Sequence, residues 1–203
     1  MTNLIVYDFD GTIYNGDSFV DFWKFIIKNN WLAIIFLPFQ LVMAGLFFLK
    51  LISPQRLKES FLTFFALLAP IRQAAIIESF WTTHHHKINP WIYSHFLERN
   101  QQFFVCISAS PEFLLAPIIQ DLNFQMLIGS IFKVTDTKIV NQMVSKNCKG
   151  MEKIHRLNAV FKDGYTIDQF YSDHPDDAPL FKLANESYLV KNGKISPLPD
   201  NFL

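Results

Sequence analysis

The amino-acid sequence predicts a doubly wound α/β protein with a helical insertion, and three observations lead to this prediction. Short apolar runs of the kind buried on both faces of a parallel sheet occur near the N-terminus and again after residue 102. Segments with helical periodicity follow these runs, and such alternation produces parallel strands joined by right-handed crossovers. Residues 16–88 show helical periodicity throughout, and half of the 203 residues are hydrophobic, enough for one substantial core.

The first half of the chain is predicted as one strand followed by helices. Residues 3–9 form a nearly continuous apolar run that suits a buried strand. A helical stripe comes next, made of Phe19, Phe22, Trp23, Ile26 and Ile27. Ser53-Pro54 and Asn89-Pro90 each place a polar residue before a proline, which is typical of a helix N-terminus. We therefore expect residues 16–88 to be all-helical.

The second half of the chain alternates between the two kinds of element. Two further strands are predicted, and the Asn-Gly pair at 192–193 indicates a hairpin. In chain order the expected elements are a strand at 103–110, helices at 111–122 and 149–160, a strand at 167–173, a helix at 176–184 and a hairpin at 190–195.

The segment 31–49 has no charged residue over 19 positions, which is long enough to span a membrane. Pro38, Gln40 and Gly45 argue against one straight span. Three interpretations stay open. The segment is a buried helical hairpin broken near Pro38, a hairpin that turns between Pro38 and Gly45 inside a membrane, or a surface covered by a second copy in a homodimer.

Composition excludes several classes of protein. The 18 basic and 18 acidic residues balance, and no basic run is present, so we expect no nucleic-acid partner. Cys106 and Cys148 are too few for a disulfide framework, which favours the reducing cytoplasm. The first ten residues lack the pattern of a secretory signal. We expect a cytoplasmic protein, with association with the inner face of the cytoplasmic membrane as the alternative.

Three predicted strands end in polar residues: Asp8 and Asp10, then Ser108, then Asp173. Ligands of open α/β sheets bind outside the carboxyl ends of the strands, so these residues should converge. Asp176 and Asp177 follow in the next loop, and so many carboxylates in one place repel one another unless a cation lies among them. A hard divalent ion with oxygen ligands, Mg²⁺, fits this set.

Four segments carry a family resemblance: DFDGT (8–12), CISAS (106–110), NCKGMEK (147–153) and YSDHPDDAPL (171–180). In this order they resemble the motifs of the haloacid dehalogenase superfamily, and most closely its phosphoserine-phosphatase-like branch. The apolar insertion is similar to that of phosphatidylglycerophosphatases of the C type. The resemblance implies a Rossmann-like catalytic core at 1–15 and 89–203. It also implies a C1-type helical cap at 16–88, strongly apolar at 31–49.

The resemblance also implies the chemistry of the aspartates. Asp8 would be the nucleophile that forms an aspartyl-phosphate, and Asp10 would be the general acid and base. Asp8, the Asp10 carbonyl and Asp173 would bind Mg²⁺, with Asp177 as a further ligand through water. Asp176 stands where relatives often carry asparagine, so its role is left open.

Other residues are assigned to the phosphate and the substrate. Ser108 and backbone N–H groups near Ala109 would bind the phosphoryl oxygens, and Gly11 would let the chain turn beside them. One lysine would neutralise charge on the phosphate. Lys149 and Lys153 are four residues apart on one predicted helix, and we favour Lys153. Asp17 would either contact the substrate or cap the following helix.

These observations together predict a Mg²⁺-dependent phosphomonoesterase. The substrate would be a phosphorylated small molecule or, as the alternative, a lipid phosphate hydrolysed at a membrane by an enzyme such as a phosphatidylglycerophosphate phosphatase. A third hypothesis is a catalytically inactive binding protein that keeps only the fold.

Overall fold

The computed structural model describes residues 2–98, 102–199 and 201–202. Its strands are β1 (Thr2–Tyr7), β2 (Phe103–Pro111), β3 (Met126–Ser130), β4 (Phe132–Thr135), β5 (Lys138–Met143), β6 (Tyr165–Ser172), β7 (Ala184–Lys191) and β8 (Lys194–Pro197). Its α-helices are α1 (Ser18–Asn29), α2 (Leu37–Phe48), α3 (Pro54–Phe61), α4 (Thr63–Leu67), α5 (Pro70–His84), α6 (Trp91–Glu98), α7 (Glu112–Asp121), α8 (Met151–Val160) and α9 (Ala178–Leu183). Short 3₁₀ helices lie at Trp31–Phe36, His85–Lys87 and Pro175–Asp177.

The central sheet has the strand order β3-β2-β1-β6-β7-β8. All neighbouring strands are parallel except β7 and β8, which pair antiparallel. From β1 the chain moves outward to β2 and β3 on one side and later to β6 and β7 on the other. The sheet is therefore doubly wound, as the sequence predicts, and the order reverses at β1. The crevice at such a reversal is where α/β proteins bind ligands.

Residues 18–87 form a succession of helices with short connections, in agreement with the prediction for 16–88. Their packing is largely aromatic: Phe22 lies edge-on to Phe65 and Phe80, with ring centroids 5.3 Å apart in both pairs. The same cluster includes Trp81 in α5 and Leu114 in α7, a helix that packs on the sheet. The indole N–H of Trp81 donates to the carbonyl of Leu114 at 2.6 Å. Helices and sheet thus share one hydrophobic core.

A small hairpin, β4–β5, packs on the helices of the insertion. Gln73 in α5 donates to the carbonyl of Ile139 at 2.7 Å and accepts from its N–H at 2.8 Å, as a neighbouring strand would. Glu59 in α3 accepts from the N–H of Met143 at 2.9 Å. The sequence did not predict this hairpin, because the strands are short and most of their side chains are partly or fully exposed.

The predicted Asn-Gly hairpin is present at the end of the sheet. Asn192 and Gly193 both have positive φ (50° and 71°), as a two-residue hairpin turn requires. The strands it joins extend back to Ala184, well before the predicted start at residue 190. Strand β3, with five residues, was not predicted either, since so short an apolar run carries little periodicity.

The expectation of a hairpin within 31–49 is wrong, whether buried or in a membrane. Residues Trp31–Phe36 form a 3₁₀ helix that continues directly into α2, and Pro38 lies in the first turn of α2. Proline has no N–H to donate, so it begins this helix and does not break it. Trp31–Phe48 is the one described segment long and apolar enough to cross a membrane, and only 11% of it is buried.

Candidate active site

The candidate site lies where β1 ends, at the reversal of strand order. The N–H of Asp8, the first residue after β1, donates to the carbonyl of Tyr171 in β6 at 2.9 Å. This bond extends the β1–β6 pairing by one residue, so the carboxylate of Asp8 has a fixed position between β2 and β6. Its side chain is largely buried although it is an acid, which requires a compensating partner.

Lys153 provides that partner. Its Nζ lies 2.8 Å from Asp8 Oδ1 and 2.8 Å from Asp177 Oδ2, and the lysine is only 2% exposed. Ser172, the last residue of β6, donates to the same oxygen of Asp177 at 2.6 Å. One buried cation is therefore shared by two buried carboxylates that follow the neighbouring strands β1 and β6.

Burial and charge act in opposite directions on this cluster. Burial raises the pKa of Asp8 to about 8, with Asp177 adding to the rise and Lys153 opposing it. Burial alone would lower the pKa of Lys153, but its two carboxylate partners outweigh burial and raise it. The lysine stays charged at neutral pH. The site carries surplus negative charge whenever Asp8 is ionised, which favours a further cation.

Asp10 is held by a separate set of hydrogen bonds. Its Oδ1 accepts from the N–H of Ser18 at 2.7 Å, and its Oδ2 accepts from Ser110 Oγ at 2.6 Å. Burial raises the pKa of Asp10 to about 6, with the nearby Asp17 contributing and the two serines opposing. A carboxyl group with a pKa near neutrality both donates and accepts a proton readily, which suits a general acid and base.

Gly11 and Asp173 fit closely against each other. Gly11 has φ = 74°, and a Cβ placed on it would lie 2.0 Å from Asp173 Oδ2. Only glycine both adopts this conformation easily and leaves that space. Asp173, the residue after β6, thus reaches the loop that carries Asp10. Burial raises the pKa of its carboxyl group.

The predicted site residues meet at one open pocket of about 470 Å³. It is lined by Asp8, Asp10, Gly11, Gly16, Asp17, Ser108, Ala109, Lys149, Lys153, Asp173, His174, Asp176 and Asp177. All ten residues proposed from the sequence are in this set, although they come from five separate segments of the chain.

The two lysines differ in their positions. The expectation that they share one helical face is wrong, because α8 begins at Met151 and Gly150 precedes it with φ = 57°. Lys149 therefore lies outside the helix, where it pairs with Asp176 at 2.6 Å; both side chains are about half exposed. This exposed pair lowers the pKa of Asp176, first through the hydrogen bond from Lys149. Lys153, and not Lys149, contacts Asp8.

Asp17 and the end of β2 complete the lining. Asp17 caps α1 by accepting from the N–H of Val20 at 2.9 Å, and its exposed side chain also borders the pocket. Ser108 is buried and accepts from the N–H of Ser110 at 3.0 Å. Ala109 offers its carbonyl to other parts of the chain, which holds the segment 108–110 in place.

Three polar residues that shape the site were not predicted from the sequence. Ser110 and Ser18 bind Asp10. The role of Ser110 could have been predicted from the sequence, because residues two apart on a strand, such as Ser108 and Ser110, point to the same side. Lys58 in α3 donates to the carbonyl of Ala109 at 2.6 Å and to Asn147 Oδ1 at 2.7 Å. Burial lowers its pKa to about 8. No local pattern distinguishes Lys58 from a surface lysine of an amphipathic helix.

The oxygen atoms of the pocket can be matched to the ligands that a divalent ion prefers. Within the described residues, no group of three or more His, Cys, Asp or Glu side chains is placed to hold a metal. Asp8, Asp10 and Asp173 all line the pocket. Mg²⁺ is usually bound by one or two carboxylates, with substrate phosphate and water as the other ligands. The residues present fit Mg²⁺ and do not form a closed cage of protein ligands.

Comparison with known proteins gives a family and several structural relatives. The family model described as haloacid dehalogenase-like hydrolase matches residues 5–182. Protein CicA of Caulobacter vibrioides is 26% identical over 198 residues, covering 94% of this chain and 87% of that protein.

Two solved structures share the fold at low identity. A Bordetella pertussis Tohama I protein of unknown function has a TM-score of 0.79 and 18% identity, covering 92% of this chain and 89% of that chain. A phosphoserine phosphatase solved as a phospho-aspartyl intermediate analogue has a TM-score of 0.58 and 15% identity, covering 92% and 85%.

Proposed function

The chain belongs to the haloacid dehalogenase-like hydrolase family, and on that premise we propose that it is a Mg²⁺-dependent phosphomonoesterase that acts through an aspartyl-phosphate. The observation that carries the proposal is the arrangement at the end of β1. Asp8 is paired with buried Lys153, and Asp10, two residues on, is held separately by Ser18 and Ser110. A nucleophile and an acid–base group of different environments thus face one pocket.

The proposed reaction assigns one role to each aspartate. A carboxylate oxygen of Asp8 attacks phosphorus as the bond to the leaving alcohol oxygen breaks, and the carboxyl group of Asp10 gives that oxygen its proton. The ionised Asp10 then takes a proton from water. This water attacks phosphorus, the bond from phosphorus to Asp8 breaks, and inorganic phosphate leaves. The phosphoserine phosphatase of similar fold, solved as a phospho-aspartyl intermediate analogue, supports the covalent intermediate of this scheme.

The surrounding residues would bind charge and position the phosphoryl group. Lys153 stays protonated and offsets the negative charge that gathers near Asp8. Ser108 and the backbone near Ala109 line the same pocket and would bind phosphoryl oxygens. Asp8, the Asp10 carbonyl and Asp173 would hold Mg²⁺, with Asp177 acting through water. Bound there, Mg²⁺ would supply further stabilisation of negative charge on the phosphoryl oxygens.

We propose that the helical insertion at 16–88 acts as the cap over this pocket. Its first helix begins with Asp17 and Ser18, which border the pocket and bind Asp10 respectively. Its third helix supplies Lys58, which binds Ala109 and Asn147 on the catalytic side. Contacts from the start and from the middle of the insertion therefore join it to the loops that carry the chemistry, and the cap would select the substrate.

Phosphate release tests the proposal directly. We expect purified protein to hydrolyse an aryl phosphate in the presence of Mg²⁺ and to lose this activity in EDTA. The same assay, run with soluble phosphomonoesters and with detergent-dispersed lipid phosphates, separates the two substrate classes. A lipid phosphate is the second candidate because the apolar face of Trp31–Phe48 is exposed. Failure to release phosphate from every substrate tried would favour an inactive binding protein.

Metal binding should depend on pH in a direction set by the aspartates. The folded protein holds protons on Asp8 and Asp10 up to pKa values of about 8 and about 6, whereas the unfolded chain releases them near 3.8. Without metal, this contribution to stability is complete below about pH 4 and is lost as the pH rises through about 6 and about 8. Since Mg²⁺ needs ionised ligands, it should raise the melting temperature more at about pH 8 than at about pH 5.

Thermal melts with MgCl₂ or EDTA at several pH values measure this effect. Asp8→Asn provides the control, because the amide does not titrate and should remove most of the pH dependence of the Mg²⁺ shift. A shift that is larger in acid, or equal in the variant and the parent protein, would contradict the assignment of Asp8 as a ligand.

A further inference from the structure

Helix α2 buries a polar residue and exposes its apolar residues, which is the reverse of a helix in a water-soluble domain. Its one buried residue is Gln40, which is 2% exposed, whereas the apolar side chains around it face outward. The exposed large side chains of Trp31–Phe48 are Trp31, Leu32, Ile34, Ile35, Phe39, Leu41, Val42 and Phe48. Phe48 and Trp31 are 81% and 76% exposed. Single exposed apolar residues are common, but a continuous set of this size marks a surface that binds something.

Hydrogen bonds of Gln40 fix this orientation. The side chain accepts from the indole N–H of Trp23 in α1 at 2.9 Å. It also donates to the carbonyls of Ser60 and Phe61 at the end of α3, at 3.3 Å each. Turning α2 about its axis would break these bonds and leave a buried amide unpaired. The hydrogen bonds of Gln40 therefore hold the apolar face of α2 outward.

The charged residues that flank this segment along the chain indicate its partner. Between Asp21 and Glu59 the chain has no acidic residue, and every charged side chain in that interval is basic. Lys28 lies in the last turn of α1, Lys50 follows α2 and Arg56 lies in α3. All three are exposed and form no ion pair within the described ranges. The bordering acids have other partners: Asp21 binds Tyr14 and Lys87, and Glu59 binds Met143.

We propose that the outward face of Trp31–Phe48 docks on a bilayer that contains anionic lipids. Apolar side chains enter the boundary between headgroups and acyl chains, and the basic rim contacts the lipid phosphates, as in interfacial helices. The segment lies along the surface and does not span, because spanning would separate Gln40 from its three partners and place its amide in hydrocarbon. A second copy is a poorer occupant, since a two-fold contact would bring the same basic rim against itself.

This inference goes beyond the proposed phosphatase activity and does not depend on it. Docking uses residues of α2 and its rim, whereas hydrolysis uses residues at the end of β1. The catalytically impaired Asp8→Asn protein should bind vesicles as the parent protein does, so failure of one proposal is distinguishable from failure of the other.

Vesicle sedimentation tests the docking. We expect the protein to sediment with vesicles of phosphatidylcholine and phosphatidylglycerol, and to bind pure phosphatidylcholine at least about tenfold more weakly. The double variant Leu41→Glu/Val42→Glu should bind the anionic vesicles at least about tenfold more weakly, because two charges would enter the apolar boundary. Val134→Glu makes a comparable change at an exposed residue of β4 and should bind normally.

Two further measurements separate docking from misfolding and self-association. The tryptophan fluorescence emission should shift to shorter wavelength when anionic vesicles are added. Trp31→Phe should remove most of that shift while keeping the far-UV circular dichroism spectrum of the parent protein. The proposal would be overturned if the parent protein ignored anionic vesicles. A dimer in light scattering that Leu41→Glu/Val42→Glu converts to a monomer, without vesicle binding by the parent, would overturn it in favour of a second copy.

Discussion

Asp8→Asn should lower phosphatase turnover by at least about a thousandfold while leaving the protein folded. The amide has nearly the same shape as the carboxylate, but its oxygen is a poor nucleophile toward phosphorus. Its carbonyl oxygen still accepts from Lys153, which also keeps its bond to Asp177, so no buried charge loses every partner. The rate of phosphate release at saturating substrate, together with the melting temperature, measures both parts of this expectation.

A matched control makes this result specific to the site. Asp163→Asn introduces the same chemical change in an exposed loop between α8 and β6 and should leave turnover within about twofold. Turnover of a folded Asp8→Asn protein close to that of Asp163→Asn would defeat the nucleophile assignment. Trapping of a labelled phosphoryl group on the parent protein, but not on Asp8→Asn, would identify the covalent step itself.

Lys153→Met should have the second largest effect, on both activity and stability. Removal of the ammonium group leaves two buried carboxylates, Asp8 and Asp177, without their shared cation. Breaking a buried pair in this way costs about 3 to 5 kcal/mol of unfolding free energy. Loss of positive charge beside the phosphoryl group should lower turnover by about a hundredfold or more. Urea unfolding and steady-state assays at a temperature where the variant is folded measure the two effects.

Lys149→Met is the natural comparison, because the two lysines line the same pocket. Lys149 forms only an exposed pair with Asp176, so its removal should cost less than about 1 kcal/mol and change turnover much less than Lys153→Met does. If Lys149→Met lost more activity than Lys153→Met, the exposed lysine would be the one that binds the phosphate. Adding Mg²⁺ should recover part of the stability of Lys153→Met, since the ion replaces some of the missing positive charge.

The sequence determined the class of the fold because periodicity and strand ends are local properties. The apolar runs at 3–9 and 103–110, together with the segment 167–173, predicted strands of a parallel sheet, and the structure confirms a doubly wound sheet. The family resemblance based on four ordered motifs is likewise confirmed by the match over residues 5–182. The segments missed were β3, β4 and β5, which are short, and in the case of β4–β5 stabilised by pairing with helices of the insertion.

The sequence also placed the acids of the site, because each follows a strand and parallel strands end at one edge of a sheet. It favoured Lys153 over Lys149, but the spacing of the two lysines did not separate them. Spacing alone puts both on one helical face, whereas the conformation of Gly150 delays the start of α8 and leaves Lys149 in solvent. The contributions of Lys58 and Ser18 depend on how the insertion folds back over the loops, and no local pattern encodes that contact.

The apolar segment 31–49 shows most clearly which properties follow from the sequence and which from tertiary packing. Composition alone established that Trp31–Leu49 is uncharged and long enough for a membrane, and it left burial, insertion and self-association open. Tertiary structure decided that the segment is continuous, that Gln40 faces inward and that the apolar side chains face outward. Residue order fixes which side chains share a helical face, but only the partners packed on the other side decide which face is turned to solvent.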